Sequence, residues 1–235
     1  EVKCPECGRK GRRETDTMDT FFDSSWYYLR YTDSKNRKEP FDKKKAEYWM
    51  PVDFYIGGAE HAVMHLIYAR FFTKFLRDLG YVRFDEPFKR LFNQGMVHGE
   101  DGKVMSKSAG NGVSPDDLAG KYGIDSARMF LMSIASPDKD TVWTEKGIEG
   151  SERFLKRVYD YFDSVKVGKS SKRVEHKLNF AIKGIEKDLE YVNYNLAIIK
   201  LRELLDVFVN EEVGKKELES YVKVLSIFCP HVAEE

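Results

Sequence analysis

The chain has little that would tie it to a membrane, to a disulfide framework or to a nonspecific grip on nucleic acid. No apolar run approaches the ~20 residues that a bilayer-spanning helix needs, so a helical membrane protein is excluded. No stretch near the start combines a basic end with an apolar centre, and a secretory signal is therefore not expected. Only three cysteines occur in 235 residues, two of them crowded together as Cys4 and Cys7. That is too few for a disulfide scaffold and favours a reducing, cytoplasmic setting. An excess of either charge is lacking too: 39 Lys and Arg face 39 Asp and Glu. A neutral chain is not drawn to polyanions by its overall field, so any RNA contact must come from a local patch. An initiator Met is also missing; the opening "EVKCPECG" reads like the middle of something longer.

What is present suffices for a folded protein. Apolar residues make up 42% of the chain and aromatics 14%, enough to bury a core in one or two domains. Four segments separate by pattern. Residues 1–12 are a Cys-Gly-basic knuckle, and 13–99 alternate short apolar runs with one helical stretch. Residues 100–150 hold a Gly-Ser loop, and 151–235 read as helices throughout. In the last segment apolar residues recur at three- and four-residue steps, as in Ile198, Leu201, Leu205 and Phe208. Cys229 falls in that apolar helical context and reads as a packed core residue.

Within the second segment, "VDFYIGG" is a short β-prone run ending in two glycines. It leads at once into "AEHAVMHLIYARFFTKFLRDLG", predicted as one helix from Ala59 and ended by Gly80. Because apolar residues surround that stretch on nearly all sides, burial within an α/β sandwich is expected. A strand, a Gly-Gly turn and a helix together resemble a nucleotide-binding unit. His61 and His65, four apart, are expected on one helical face beside Glu60. A metalloprotease zinc site places the Glu directly after its first His, and the order here is reversed. Core histidines are the plainer alternative.

Cys4 and Cys7 in "CPECGRKG" form half of a tetrahedral thiolate site, so bound zinc would require ligands from outside this chain. The stretch "DGKVMSKSAGN", Asp101 to Asn111, crowds lysines, serines and glycines between apolar runs. Lysines neutralise phosphate charge, and glycine-flanked serine turns leave amides and hydroxyls for phosphate oxygens. A solvated surface loop is the default alternative.

Met105-Ser106-Lys107-Ser108 resembles the KMSKS signature of class I aminoacyl-tRNA synthetases. "RETDTMDTFFDSSWYYLRY", "PVDFYIGGAEHAVMHLIYARFFTKFL", "NQGMV", "MSKSAGN" and "FCPHVAEE" follow in that order, and over the whole chain they resemble the leucyl-tRNA synthetase family. The resemblance implies an α/β fold: the second half of a Rossmann-like nucleotide-binding domain, a KMSKS-loop region that contacts the tRNA stem, and an incomplete helical bundle laid against tRNA. It implies ATP-dependent activation of L-leucine with Mg²⁺ and transfer to tRNA(Leu). It places Phe21, Ser24, Tyr27, Tyr55, His61 and His65 in the leucine pocket. ATP falls to Gly57, Gly58, Glu60, His61 and Gln94, with backbone of Met96 and Val97 against the adenine edge. Lys107, flanked by Ser106 and Ser108, stabilises the departing pyrophosphate. Arg153, Lys156, Arg157, Lys169, Lys172 and Arg173 are candidates for tRNA phosphates, or else a solvated helix face.

Two features depart from the family. Val104 stands at the first KMSKS lysine, with Lys103 displaced by one position. No HIGH tetrapeptide occurs, and the inserted editing domain is missing. Activity is thus expected only with an amino-terminal partner that carries both, either the alpha subunit of a divided enzyme or the remainder of a single chain. That partner would also complete any zinc site at Cys4 and Cys7. A non-catalytic tRNA-binding module is the alternative reading.

Overall fold

The computed structural model describes residues 2–106 and 110–235. They form two compact units, Glu1–Asn93 and Gln94–Glu235. The division falls between Asn93 and Gln94, six residues before the boundary expected from sequence, so Gln94, Met96 and Val97 belong to the second unit.

In the first unit, β1 (Val2–Lys3) and β2 (Lys10–Gly11) form an antiparallel hairpin around the cysteine knuckle. Short helices α1 (Phe21–Ser24) and α2 (Tyr27–Tyr31) follow, then α3 (Lys43–Trp49). The Asp42 carboxylate caps α3 by accepting from the Lys45 amide, which satisfies one of the orphan donors of a helix start. Strand β3 (Tyr55–Gly58), α4 (His65–Asp78) and β4 (Leu91–Gln94) complete the unit, and β3 pairs with β4. A parallel bridge between Val52 and Phe88 stands just before that pair, consistent with a strand–helix–strand crossover. Leu29, Phe41, Ala46, Ala69 and Val82 lie at the centre of the core.

Two expectations need correction here. The helix does not begin at Ala59: Ala59–Val63 is a 3₁₀ turn, and α4 starts at His65 after Met64 leaves helical geometry. Its end is as expected, with Gly80 at φ +79°. Nor is α4 buried on all sides. It buries His65, Leu66, Ala69, Thr73 and Leu76, while Ile67, Phe71 and Phe75 stand 55%, 69% and 45% exposed. Composition records which faces are apolar, but burial requires a neighbour, and this unit packs against one stripe only.

The second unit pairs β5 (Val97–His98) in parallel with β6 (Thr141–Val142), beside α5 (Pro115–Tyr122) and α6 (Ile124–Ser133). A small core of Ala127, Phe130, Trp143 and Ile148 holds them, with Val97 and Met105 packed against it. The long helices follow: α7 (Glu145–Ser164), α8 (Lys172–Glu190), α9 (Tyr194–Val209), α10 (Lys215–Phe228) and the short α11 (Pro230–Glu234). Helix α7 starts six residues earlier than the pattern suggested. Ile198, Leu201, Leu205 and Phe208 are all essentially inaccessible, as their spacing predicts, and so is Cys229. Burial pushes the Cys229 thiol up to about 12, so it is an inert packing group. The buried Asp125 carboxylate of α6 accepts from the Val232 amide at 2.8 Å and lies 2.9 Å from His231 Nδ1, which ties α6 to α11. Among the described residues no helix is long and apolar enough to cross a membrane.

Candidate functional site

In the first unit the predicted residues converge on the end of β3. The phenol oxygens of Tyr27 and Tyr55 lie 2.8 Å apart, and the Tyr55 oxygen lies 2.7 Å from His65 Nε2. The Tyr55 ring stacks on Phe88 at 3.7 Å between centroids, which fixes where its hydroxyl points. Burial, then the nearby Tyr27 hydroxyl, raises the Tyr55 phenol well above its ordinary range, so it remains a donor. Burial, and secondarily the charge of His61, lowers the His65 imidazole, so it is neutral near pH 7. The Tyr55 contact occupies Nε2 and leaves the second ring nitrogen of His65 open.

That nitrogen, His65 Nδ1, is buried without a partner, as are His61 Nδ1 and Ser24 Oγ. A buried polar atom left unpaired costs about 1–3 kcal/mol, so the two imidazole nitrogens side by side mark a place built for a ligand. The two imidazoles meet edge to face at 6.1 Å, and Phe21 packs edge-on to His61 at 6.3 Å. A cavity of about 250 Å³ opens beside them, lined by Tyr55, Gly57, Gly58, His61, His65, Leu66 and Asn93 among others. Phe21 packs on His61, and Tyr27 on Tyr55 and His65, beside this lining. The Glu60 carboxylate lies over Gly58 so closely that any Cβ there would overlap it.

In the second unit, Met96 and Val97 lie beside β6. The Met96 amide donates to the Asp140 carboxylate at 2.8 Å, and its carbonyl accepts from Thr141. An adenine acceptor at that amide would have to displace Asp140. The Val97 carbonyl accepts from Met105 at 3.0 Å, so the loop's approach is zipped to β5. Asn111 then clamps both flanks of the loop: its Oδ1 accepts from the Ser106 amide at 3.0 Å and its Nδ2 donates to the Val104 carbonyl. Gly102 and Gly110 adopt positive φ at the two bends. Lys107 and Ser108 lie outside the described residues. Gln94 is exposed at the end of β4.

Sequence reasoning missed Phe88, Asn93 and Asn111. Asn93 and Asn111 sit inside the quoted strings "NQGMV" and "MSKSAGN", where a polar side chain beside glycines and apolar residues is a usable signal. Nothing local marks Phe88, which is 33 positions from the ring it supports.

At the cysteine knuckle, the Cys4 amide donates to the Arg9 carbonyl and Arg9 Nε reaches Cys7 Sγ at 3.5 Å. That contact with Arg9 lowers the Cys7 thiol, as suits a metal-binding thiolate. The described residues contain no group of three or more metal-ligating side chains, so the cysteines remain half a site. Four of the six tRNA-contact candidates are engaged in ion pairs: Arg153 with Glu149, Lys156 with Asp160, Arg157 with Asp206 and Arg173 with Glu211.

A model of the family "tRNA synthetases class I (I, L, M and V)" matches residues 7–144, more than half of the chain. The chain belongs to this family of class I tRNA synthetases. Within it, this synthetase chain is 46% identical over 255 residues to the leucine–tRNA ligase of Fervidobacterium nodosum. It is 48% identical over 255 residues to that of Thermosipho melanesiensis. Each match covers 99% of this chain and 31% of the relative, so the chain spans about a third of the length of the curated relatives it matches. The solved LeuRS–tRNA–LeuAMS ternary complex of Agrobacterium radiobacter superposes with a TM-score of 0.86 at 36% identity, over 99% of this chain and 33% of that one. Mycobacterium tuberculosis methionyl-tRNA synthetase bound by methionyl-adenylate shares the fold, with a TM-score of 0.66 at 16% identity over 91% of this chain and 48% of that one.

Proposed function

We propose that the chain is the carboxyl-side part of a leucyl-tRNA synthetase. It activates L-leucine with ATP and Mg²⁺ and transfers it to tRNA(Leu) only when joined to the amino-side part, which carries HIGH and the editing domain. The observation that carries this reading is the cavity at the end of β3, where aromatic and imidazole walls surround unpaired buried polar atoms. Its volume suits an amino acid better than a whole nucleotide. The aromatic and aliphatic lining accommodates an apolar side chain, and the two imidazoles serve the polar end of the ligand. Class I relatives at 44–48% identity named as leucine–tRNA ligases support leucine as that amino acid.

The reaction needs no side-chain nucleophile. The leucine carboxylate attacks the α-phosphorus of ATP, forming leucyl-adenylate and releasing pyrophosphate; the tRNA 2′-hydroxyl then accepts the leucyl group. This chain contributes positioning and charge neutralisation. Tyr27, Tyr55 and His65 hold the pocket in one hydrogen-bonded arrangement. Gly57, Gly58, Glu60 and Gln94 are assigned to ATP, as is the backbone of Met96 and Val97, and Lys107 to the leaving pyrophosphate. Cys4 and Cys7 supply two thiolates to a zinc ion whose other ligands come from the amino-side part.

Leucine-dependent ATP–pyrophosphate exchange, measured for this chain with and without the amino-side part of a relative, tests the proposal. Exchange is expected only in the mixture. Full-speed charging by the chain alone, or a complete assembly indifferent to leucine, would overturn it.

A further inference from the structure

We propose that the Asp140 carboxylate competes with adenine for the Met96 amide and, once displaced, anchors His98 at the base of the KMSKS loop. The inference rests on the assignment of the Met96 backbone to ATP made above. Asp140 Oδ1 accepts from the Met96 amide at 2.8 Å, while its Oδ2 lies 3.7 Å from His98 Nε2. The first contact is a full hydrogen bond and the second is too long for one, so the carboxylate holds the strand and only faces the histidine. Charge-assisted bonds of this kind close to about 2.8 Å, so a shift of about 1 Å would complete it.

The surroundings confine that shift to the side chain. The Gly95 amide donates to the Pro137 carbonyl and the Thr141 amide to the Met96 carbonyl, pinning the backbone on either side of Asp140. A Cβ on Gly95 would overlap the Lys139 carbonyl, so this segment lies directly against the strand. The Asp140 side chain itself is 65% exposed. Among the described residues no lysine or arginine pairs with it, and the neighbouring Lys139 is taken by Asp138. An acceptor on the adenine edge therefore contends with one exposed carboxylate for a single amide donor, and ATP favours whichever arrangement leaves that donor free.

His98 carries the event to the loop. Its Nδ1 lies 3.0 Å from the Gly102 carbonyl, and because a carbonyl only accepts, that nitrogen donates. Gly102, at φ +73°, bends the turn that the Gly99 amide closes on the Lys103 carbonyl at 2.8 Å. Released from Met96, Asp140 pairs with Nε2 of His98 as the imidazolium, whose second proton comes from solvent. Both ring nitrogens are then held, and filling the adenine site stiffens the turn that leads into Met105 and Ser106. Asp140 and His98 are positioning residues, since neither touches the reacting atoms.

The test uses the assembled synthetase containing this chain, with ATP affinity measured by equilibrium binding and kcat by leucine-dependent exchange. Asp140→Ala removes the competitor and is expected to tighten ATP about fivefold, the worth of one hydrogen bond, while lowering kcat about threefold. Asp140→Asn keeps an acceptor for the amide but no charge for His98, so ATP affinity should stay within about twofold of the parent as kcat falls by a similar factor. His98→Gln should lower kcat likewise at unchanged ATP affinity, and adding it to Asp140→Ala should cost no further kcat. Both side chains reach solvent, so the variants should fold. Weakened or unchanged ATP binding in Asp140→Ala, or kcat losses that multiply in the double variant, would overturn this inference alone. A parental assembly without leucine-dependent exchange would overturn the functional reading with it.

Discussion

Replacing Tyr55 by Phe probes the pocket most directly. The substitution keeps the ring that stacks on Phe88 at 3.7 Å and removes only the hydroxyl. That hydroxyl lies 2.8 Å from the Tyr27 oxygen and 2.7 Å from His65 Nε2. Tyr27 is half-buried and can recruit water, so its loss amounts to a net hydrogen bond, about 1 kcal/mol. His65 is 8% exposed and has no such recourse; its ring, already lacking a partner at Nδ1, loses its remaining anchor. Adding about 1 kcal/mol for that side gives roughly 2 kcal/mol, or about 30-fold. In leucine-dependent exchange by the assembled enzyme, kcat/KM for leucine should fall by about that factor while KM for ATP stays near its parental value. Tyr27 acts through Tyr55, so Tyr27→Phe on top of Tyr55→Phe should cost little more. A single variant within twofold of the parent, or fully additive losses in the double, would refute the hydrogen-bonded chain as the feature that shapes this pocket.

Three further outcomes follow from other parts of the molecule. Asn111→Ala removes the clamp on Ser106 and Val104 and should lower kcat for exchange roughly 30-fold with leucine KM unchanged, since two bonds of about 1 kcal/mol each hold the loop flanks. Gly95→Ala would drive its Cβ into the Lys139 carbonyl, and backbone cannot swing aside; a loss of about 1–3 kcal/mol should appear as faster limited proteolysis near β5 and β6. Because the folded-state pKa of His65 is depressed, the unfolded chain binds more protons below its ordinary value near 6.5. Its contribution to stability is therefore present above that pH and lost as pH falls through the folded value. Urea titrations should show stability declining below pH 6.5, and His65→Gln should reduce the slope.

The local elements were legible because they follow from spacing. The i, i+3, i+4 rhythm of Ile198, Leu201, Leu205 and Phe208 specifies a one-sided helix wherever it occurs, and a positive-φ glycine at position 80 ends one. The strings around Tyr55, His61 and Met105 identified the family, because a ligand site needs particular side chains in a particular local order. The sequence by itself therefore determined the helices of the bundle, the strand–turn–helix unit and the residue types at the pocket.

Tertiary structure decided everything that depends on a neighbour far along the chain. Phe88 lies beneath Tyr55, and Asp140 reaches the Met96 amide across 44 positions. The apolar ring of α4 is half exposed, since a stripe is buried only when something packs on it. Charge behaves the same way: the lysines and arginines of α7 and α8 look alike in sequence, yet only the fold reveals which have found a carboxylate. Periodicity is a property of one segment, whereas burial and pairing are properties of two, and that is where reading from sequence stops.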